Sequence, residues 1–480
     1  MTATSGNIAM KDQTLTGDPE TDRIPARVTA LIVTRYFRPE SHSGTIRIAS
    51  LCQHLPGFGI RPIVLTDQPA ETAIRQAPAG DERDVIRFPW FAINGATGPW
   101  LRKIPVLAAF VHKLRRARVS REALRALSQL SATDRPDLVF ASSPSGDALV
   151  LGATLSRHFQ VPFIADYRDP WSHWPNPLYP HAVDFLAERS VERATVRQCN
   201  RIVTTCEAAR TILLDEFGTD AERIVVVPNG YDEQEFANAA DLLPRRPDLF
   251  TIVYSGAIRR AAVPSLARRA ATLAGFGFDP LRTNFNARSL HYFLEGLRLF
   301  YERTPAARGR VRLCLVGAEN TKGDSAVESF PYPELLEFYP RVSPELAIGA
   351  CLQADLLLLT QLETTYDGKP LCVAIPAKLY TYLRSGRRIL ACAQRSEISE
   401  LIAAESAGVT VPPQDPEAMA SALHAEFTHW SGQAPGEERS LRDFQPYERR
   451  EIARQIAQVM EDVLAEATPR VMRPAEAVGS

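Results

Sequence analysis

Apolar runs and amphipathic stretches alternate along the first half of the chain. Helical patterns such as 45–55 and 146–159 separate the apolar runs from one another. The apolar runs, in order, are 27–37, 61–67, 136–144, 161–171, 200–206 and 223–232. Strands that alternate with helices at this spacing predict βαβ units and a parallel sheet.

The same pattern begins again after a charged, proline-containing connector at 233–250. The apolar runs of this second series are 250–258, 310–319, 354–360, 387–393 and 408–413. We therefore predict an α/β protein with two doubly wound halves that join near residue 240. An amphipathic stretch at 445–466 has no strand after it, and its pattern allows it to pack on either half.

Composition agrees with a soluble protein of more than one domain. A length of 480 residues exceeds a single hydrophobic core, and 45% apolar with 23% charged residues is typical of globular proteins. The net charge of −1 creates no field that favours nucleic acid. The seven cysteines form no C-x-x-C pair, which predicts buried thiols in a reducing cytoplasm.

The ends of the chain and one internal segment differ from this pattern. No apolar run reaches about 18 residues, so no membrane span is predicted. Residues 1–24 are interpreted as a disordered leader and 467–480 as a tail. Residues 259–287 form an insertion where a βα loop usually has about 2–6 residues. This insertion is predicted to be a functional lid or a mobile loop.

Candidate ligand-binding residues follow several of the predicted strands. In open α/β sheets, ligands bind beyond the carboxyl ends of the strands and at helix N-termini. Residues at such positions are Ser43, Gly44, Asp166, Arg168, Asp169, Gly256, Arg259, Arg260 and Lys378. Each has a structural alternative: Ser43-Gly44 as a turn, the group at 166–169 as an internal ion-pair cluster, and 259–260 as solvated charges.

Lys378 lies in the first turn of a predicted helix that opens with Pro376, a residue favoured at the first helical position. A cation in this turn is unfavourable against the helix macrodipole. An anion bound between Lys378 and the helix N-terminus would remove that conflict. The position therefore favours a ligand-binding role over a surface residue.

A basic segment covers residues 85–121. Asp84 and Glu122 are the acids on either side of it, with none between them. Its cations are Arg87, Arg102, Lys103, Lys113, Arg115, Arg116, Arg118 and Arg121. Basic segments with interleaved aromatic residues can lie on anionic lipid, and a solvated basic helix is the alternative. The balanced total charge disfavours a nucleic-acid surface.

The common hydrolase, P-loop and dinucleotide motifs are absent: the sequence has no G-x-S-x-G, H-E-x-x-H, G-x-x-x-x-G-K-[ST] or G-x-G-x-x-G. It also has no D-x-D, so neither a metal–diphosphate clamp nor a cofactor is predicted. His173 is the histidine near a candidate site, and a lone histidine is more often structural.

Taken in order, several segments resemble GT-B glycosyltransferases. They are "PDLVFASSP", "VPFIADYRDPW", "RIVVVPNGYDEQEF", "IVYSGAI", "RVRLCLVG", "RVSPELAIGACLQADLLLL" and "IPAKLYTYLRSGRRIL". The resemblance is closest to retaining glycosyltransferase family 4, in the branch with "PSK-L-[FY]-E-Y" near the donor site. It covers roughly residues 27–466.

The resemblance implies two facing Rossmann-like, doubly wound parallel-sheet domains with the active site in the cleft between them. The N-terminal domain, 25–238, would bind the acceptor, and the C-terminal domain, 239–440, would bind a nucleotide-sugar. The helix at 441–466 would cross back onto the N-terminal domain. No cofactor is implied beyond the nucleotide-sugar substrate.

The resemblance also implies roles for individual residues. Arg259 or Arg260, with Lys378, would bind the donor diphosphate, and Val342 and Ser343 would contact the base. The "DYRDPW" segment would border the sugar and the acceptor, so Asp166, Arg168 and Asp169 are the catalytic candidates, without a covalent role.

Two positions depart from the family pattern. The family has two Glu separated by seven residues, the second of which binds the ribose hydroxyls; here the positions hold Val373 and Thr381. One threonine hydroxyl cannot accept from both ribose hydroxyls as a carboxylate does. Losing such a partner weakens binding by about 1–3 kcal/mol. The insertion at 259–287 also interrupts the loop where the family's cations lie.

Three functional hypotheses follow. The first is a metal-independent retaining glycosyltransferase of the hexosyltransferase type, which acts on a glycan or lipid-linked acceptor in surface polysaccharide biosynthesis. It would be cytoplasmic, at the inner face of the membrane, and 85–121 would touch anionic lipid. The second is a non-catalytic GT-B scaffold or partner with a degenerate donor site. The third, a sugar-nucleotide epimerase, is disfavoured because no acid pair lies near the donor motif.

Overall fold

The computed structural model describes most of the chain. The described residues are 27–39, 43–68, 84–95, 107–144, 146–174, 179, 181–243, 246–258, 278, 281–318, 324–340, 342–432 and 440–467. The predicted leader at 1–24, the tail after 467 and most of the insertion at 259–287 lie outside these residues.

The N-terminal half forms a seven-stranded parallel sheet in the order β3-β2-β1-β4-β5-β6-β7. Its strands are β1 (Val28–Thr34), β2 (Ile60–Asp67), β3 (Val85–Phe88), β4 (Leu138–Ser142), β5 (Phe163–Tyr167), β6 (Arg201–Thr204) and β7 (Ile224–Val226). The strands β1, β4 and β5 read as almost continuous apolar runs because helices cover both faces of the sheet.

Helices lie on both faces of this sheet. The α-helices of the N-terminal half are α1 (Ser43–His54), α2 (Trp90–Gly95), α3 (Leu107–Leu127), α4 (Gly146–Phe159), α5 (Ala182–Gln198), α6 (Glu207–Phe217) and α7 (Glu233–Ala237). Alternate residues of β1 enter two separate cores: Leu31 and Val33 pack towards α3 to α6, and Ala30 and Ile32 towards α1. This division follows from the two-residue period of a strand.

The C-terminal half repeats the architecture with a six-stranded parallel sheet in the order β11-β10-β8-β12-β15-β16. Its strands are β8 (Phe250–Ser255), β10 (Val311–Val316), β11 (Leu336–Tyr339), β12 (Leu356–Thr360), β15 (Arg388–Cys392) and β16 (Gly408–Val411). A small antiparallel sheet joins β9 (Arg282–Asn284), β13 (Glu363–Tyr366) and β14 (Lys369–Pro370). The two parallel sheets confirm the predicted α/β class.

Helices again cover both faces of the C-terminal sheet. They are α8 (His291–Arg303), α9 (Ser325–Glu328), α10 (Pro344–Gln353), α11 (Ala377–Arg384), α12 (Glu397–Ala404) and α13 (Pro416–Ser431). Short 3₁₀ helices lie at Leu55–Phe58, Ala132–Asp134, Ala221–Arg223, Phe285–Arg288, Pro305–Ala307, Pro333–Leu335 and Gln445–Tyr447. One core holds α10, α11 and α12, and the other holds α8 and α13.

The last helix, α14 (Arg449–Ala467), returns to the N-terminal half. Its apolar stripe, which includes Ile452, Ile456 and Met460, packs in one core with Ile48 and Leu51 of α1. The sequence pattern alone left the partner of this helix open.

Polar contacts tie the two halves together. Glu397, at the start of α12, accepts hydrogen bonds from the backbone N–H groups of Glu207 and Ala208 at 3.0 and 2.9 Å. Arg384 of α11 forms two hydrogen bonds to Glu233, at 2.9 and 2.5 Å. Carboxylates are favourable at helix N-termini, so Glu397 stabilises the first turn of α6 from the other domain.

The described residues contain no helix that is long and apolar enough to cross a bilayer. Each of the seven cysteines is a free thiol, and all but Cys52 are buried, as predicted.

Candidate active site

The carboxyl ends of β8, β10 and β12 meet the N-terminus of α11. Gly256 follows β8 with φ +107°, a backbone conformation that favours glycine. A Cβ at Gly256 would lie 3.3 Å from Nζ of Lys378. Gly317 follows β10 with φ +75°, and a Cβ there would lie 3.6 Å from Cα of Gly256. Two backbone segments without side chains therefore lie together beside the lysine.

The ammonium of Lys378 lies over the ring of Tyr254, with Nζ 3.9 Å from the ring centroid. This cation–π contact holds the charge in place. No carboxylate among the described residues pairs with Lys378. The result is an uncompensated cation in the first turn of a helix, at the end of the donor-side sheet.

Tyr254 is almost fully buried, and its hydroxyl donates to the carbonyl of Ala257 at 3.0 Å. Burial raises the pKa of Tyr254, but the positive charges of Lys378 and Arg288 outweigh this effect, so the pKa is lowered. Hydrogen bonds from Lys378 and Thr360 contribute to the lowering of the Tyr254 pKa.

Arg288 is the site residue that the sequence analysis missed. It ends the 3₁₀ helix Phe285–Arg288, whose position is fixed where Thr360 donates to the Arg288 carbonyl at 3.1 Å. Its half-buried guanidinium has no carboxylate partner among the described residues. A cation at the end of the insertion, just before an amphipathic helix, was the available sequence signal. The predicted Arg259 and Arg260 lie outside the described residues.

Helix α11 is anchored so that Lys378 and Thr381 share one face. Residues three apart on a helix are neighbours, and Thr381 is half-buried beside the lysine. Tyr382 fixes the helix, since its hydroxyl accepts from the Ser255 N–H at 2.9 Å and donates to the Leu358 carbonyl at 3.4 Å. Pro376 is the N-cap, not the first helical residue as predicted.

The other predicted donor residues have identifiable local roles. Ser343 is the N-cap of α10, where its hydroxyl accepts from the Leu346 N–H at 3.4 Å. Val342 packs against the core that holds α11, and Val373 is buried. Ser343 itself is exposed, at the junction between β11 and α10.

Asp166 is fully buried, and its carboxylate is saturated with partners. It accepts two hydrogen bonds from Arg47, both at 3.2 Å, and one from Ser142 at 2.7 Å. Arg47 also donates to the carbonyls of Val227 and Pro228 at 3.1 and 2.8 Å. The geometry favours the ion-pair alternative over the catalytic role expected for Asp166, because this pair joins α1, β5 and the loop after β7.

Arg168 and Asp169 form a second, buried pair at the end of β5, with Arg168 Nε 3.1 Å from an Asp169 carboxylate oxygen. The Ser143 hydroxyl fixes the backbone of Asp169: it accepts from the Asp169 N–H at 3.0 Å and donates to the Asp169 carbonyl at 3.1 Å. One guanidinium nitrogen of Arg168, Nη1, is buried and has no hydrogen-bond partner among the described residues. Since an unmet buried donor is costly, Arg168 has free capacity for a ligand.

The segment after this pair meets the C-terminal half directly. The ring of Tyr366 in β13 lies edge-on to His173, with 5.0 Å between centroids, and its hydroxyl donates to Glu216 at 2.5 Å. Burial, helped by the charge of Arg189, lowers the pKa of His173 to about 4. His173 is therefore neutral at pH 7 and serves as an interface residue.

The end of the insertion also contacts the N-terminal half. Phe278 and Tyr179 form a two-residue antiparallel bridge, with N–H to carbonyl distances of 3.0 and 2.7 Å. The Phe278 ring lies 5.3 Å from the ring of Phe185 in α5. The described part of the insertion is thus docked across the two domains.

Helix α1 begins at Ser43, and Gly44 is buried in its first turn. A crevice separates α1 from the N-terminus of α11. Its lining residues are Ile46, Arg47, Ser50, Leu51, Asn229, Gly230, Ala377, Arg449 and Ile452. The crevice thus brings α1 close to Ala377, the residue next to Lys378, but its lining does not include the predicted donor residues Ser43 and Gly44. Among the described residues, no group of His, Cys, Asp and Glu could hold a metal ion.

Comparison with known proteins agrees with this geometry. Residues 44–230 match the family model of the glycosyl transferase 4-like domain, which supports sugar transfer. None of the curated proteins matches the sequence.

Solved structures match almost the whole chain in three dimensions. Sucrose-phosphate synthase from Thermosynechococcus elongatus is 15% identical, with 92% of this chain and 100% of that chain covered and a TM-score of 0.58. HepE of Anabaena, solved with UDP and glucose, is 13% identical, with 91% and 100% covered and a TM-score of 0.54. A Listeria monocytogenes protein described as a UDP-N-acetylglucosamine 2-epimerase is 13% identical, with 92% and 98% covered and a TM-score of 0.53.

The chain therefore has the GT-B fold, and the resemblance to GT-B glycosyltransferases is confirmed. The match to the glycosyl transferase 4-like family model lies within its N-terminal half. At these identities the structural matches establish the fold alone.

Proposed function

We propose that this protein is a retaining, metal-independent glycosyltransferase that uses a nucleotide-sugar donor. One observation carries the proposal: Lys378, a cation without a carboxylate partner among the described residues, lies over the ring of Tyr254 and beside the bare backbone of Gly256 and Gly317. Arg288 is added to this cluster because its charge helps to lower the pKa of Tyr254. A cluster of this kind fits the diphosphate of a nucleotide-sugar.

The proposed chemistry needs fixed positive charge at the leaving group. As the glycosidic bond to the donor breaks, negative charge develops on the departing nucleoside diphosphate. Preorganised cations stabilise that charge without reorganisation, and a guanidinium can bind phosphate through two parallel hydrogen bonds. Lys378 and Arg288 would supply these contacts, and the N-terminus of α11 would add backbone N–H groups.

The acceptor side is assigned to the end of β5. Arg168 has an unmet buried N–H, and Asp169 is held next to it, so this pair would orient a sugar or acceptor hydroxyl. Asp166 is given no covalent role in this proposal, and its buried pairing with Arg47 supports that choice. Retention of configuration, the glycan or lipid-linked acceptor and a place in surface polysaccharide biosynthesis rest on the family 4 resemblance.

A non-catalytic scaffold is the second candidate, and Thr381 is the observation that favours it. The side chain next to Lys378 is a half-buried threonine, and Val373 is buried apolar, so neither position supplies a carboxylate for a ribose. A decayed donor site would retain the fold and lose nucleotide binding.

Thermal unfolding with a panel of nucleoside diphosphates separates the two candidates. If the donor site is functional, at least one nucleotide should raise the midpoint temperature of unfolding, because a ligand that binds only the folded state stabilises it. The rise is expected to disappear in Lys378→Ala and in Arg288→Ala. Arg303→Ala is the matched control, because Arg303 lies at the other end of α8 in an exposed pair with Glu417.

The absence of any shift with all nucleotides would reject the donor site and favour the scaffold. Where a nucleotide binds, release of free sugar from the matching nucleotide-sugar shows whether the bound donor is activated. Binding without any sugar release, with a range of acceptors present, would leave a nucleotide-binding protein that is not a transferase.

A further inference from the structure

The outer surfaces of α3 and α5 carry large apolar side chains that are exposed. Phe110 and Leu114 are 56% and 54% exposed, and Val183 and Leu186 are 49% and 58% exposed. The i, i+4 and i, i+3 spacings place each pair on one face of its helix. Such side chains are exposed singly on most proteins, but four on two neighbouring helices indicate an interaction surface.

The two helices present these residues to the same side of the molecule. Both pack on one face of the N-terminal sheet, where Val119 of α3 and Val196 of α5 belong to the same core. Between them, Arg116 of α3 forms an ion pair with Glu188 of α5 at 2.7 Å. We call the outward surface formed by Phe110, Leu114, Val183 and Leu186 the α3–α5 face.

Positive charge surrounds the apolar residues of this face. Lys113, Arg118 and Arg121 are exposed, and none pairs with a carboxylate among the described residues. The other two basic residues of α3 in this region are not available. Arg115 is buried, and Arg116 also pairs with Asp147 at 2.8 Å. The predicted contact of the segment 85–121 with lipid is therefore assigned to the exposed cations of α3, not to Arg115 and Arg116.

We propose that the α3–α5 face docks on an anionic lipid bilayer. Exposed aliphatic and aromatic side chains can enter the acyl boundary, and the lysine and arginines beside them reach the headgroup phosphates. A nucleic acid or an acidic protein would use the charges without requiring the apolar residues. The combination of the two features selects lipid.

The location of the face connects it to the acceptor side of the cleft. Arg116 lies over the ring of Trp171, 5.4 Å from its centroid, directly after the Arg168–Asp169 pair. Helix α5 begins three residues after Tyr179, which bridges to Phe278. A docked molecule would therefore meet an acceptor that is anchored in the membrane. This last step rests on the proposed transferase function.

Vesicle sedimentation of the full chain tests the docking without any substrate. The protein is expected to bind phosphatidylcholine vesicles that contain phosphatidylglycerol, and to remain in solution with phosphatidylcholine alone. The triple variant Lys113→Ser, Arg118→Ser, Arg121→Ser should bind on the order of 100-fold more weakly, at about fivefold per charge. The matched triple Arg303→Ser, Arg308→Ser, Arg450→Ser removes equal charge from exposed positions elsewhere and should bind as the unchanged protein does.

Phe110→Ser with Leu186→Ser tests the apolar part and should also weaken vesicle binding. The alternative to lipid is that a second copy of the chain binds this face. Size-exclusion chromatography without lipid tests that alternative, since it would show a dimer. The proposal would be overturned if the unchanged protein formed a dimer and the double variant did not. It would also be overturned if neither the charge variant nor the apolar variant bound vesicles more weakly. Nucleotide-induced thermal shifts are expected to be unchanged in all these variants. Loss of vesicle binding with intact nucleotide binding therefore tests the membrane proposal separately from the donor site.

Discussion

Lys378 rests on the face of Tyr254, 3.9 Å from the ring centroid, and the ring belongs to the strand whose end forms the donor-side loop. The aromatic ring thus positions a cation whose helix would otherwise repel it. Tyr254→Phe keeps the ring and should retain nucleotide affinity, whereas Tyr254→Leu should weaken it by about 0.5–2 kcal/mol. Titration calorimetry with the best nucleoside diphosphate measures both. Equal losses in the two variants would show that the hydroxyl, not the ring, is responsible.

Arg288 pairs with no carboxylate in the part of the chain that the structure describes, so its substitution should separate binding from stability. Arg288→Ala is expected to weaken nucleotide binding by about 1.5–3 kcal/mol, the range for a hydrogen bond to a charged group. The unfolding midpoint without ligand should stay unchanged. Arg288→Lys should recover only part of the affinity, because an ammonium cannot form the two parallel bonds of a guanidinium. An unchanged dissociation constant in Arg288→Ala would remove this residue from the site.

Asp166 should behave as a structural residue. Asp166→Asn leaves Arg47 buried without its counter-charge, which is expected to lower the free energy of unfolding by about 3–5 kcal/mol. Urea denaturation measures the change. Glu417→Gln, which breaks the exposed pair with Arg303, is the control and should leave the free energy of unfolding almost unchanged. A variant that keeps full stability and loses only turnover would restore the catalytic assignment.

Thr381→Glu should strengthen a live donor site. A carboxylate three residues after Lys378 on the same helix face offers both ribose hydroxyls an acceptor, so nucleotide affinity is expected to rise by about 1–3 kcal/mol. Thr381→Gln provides a neutral side chain of similar size as the control. If the glutamate variant binds no better than the glutamine variant, the ribose does not lie at this position.

Glu192 should make stability depend on pH. Burial raises the pKa of Glu192 to about 7 from an ordinary value of 4.5. Between these values the folded protein holds more protons than the unfolded chain, so raising the pH favours unfolding. The stabilising contribution of Glu192 to the free energy of unfolding is fully present below pH 4.5. On the order of 3 kcal/mol of it is lost as the pH rises to about 7.

Glu192→Gln removes the titratable carboxyl group and keeps an oxygen that can accept from the Ser172 N–H, which donates to Glu192 at 3.1 Å. The difference in unfolding free energy between the unchanged protein and the variant should therefore vary over this pH range and level off outside it. This difference isolates Glu192 from His173, whose lowered pKa has the opposite effect between about 4 and 6.5. A difference that is constant with pH would show that Glu192 ionises normally.

The fold followed from local patterns because apolar strand runs and helical periods are properties of neighbouring residues. The placement of Lys378 followed for the same reason: a strand, a turn and a helix N-terminus lie within one short segment. The role of Asp166 depended instead on Arg47, which lies 119 residues earlier in the chain. The periodicity of neighbouring residues cannot predict a contact between residues so far apart in the sequence.

Arg288 illustrates a second limit of local patterns. The sequence indicated cations directly after β8, at Arg259 and Arg260, which lie outside the described residues. Arg288, just after the insertion, is a further cation, and its charge helps to lower the pKa of Tyr254. The path of the chain through an insertion determines which of its residues return to the sheet. Pairing of β9 with β13 brings the end of the insertion back, and such pairing between distant segments is not encoded in the periodicity of either one.

The interdomain position of Glu397 has a mechanical consequence. Any rotation that separates the two halves withdraws its carboxylate from the N–H groups of Glu207 and Ala208 and leaves the first turn of α6 to be hydrated. The same rotation would pull apart the Tyr179–Phe278 bridge on the other side of the cleft. The two halves are thus held together at two separate points, so separating them would cost both sets of contacts.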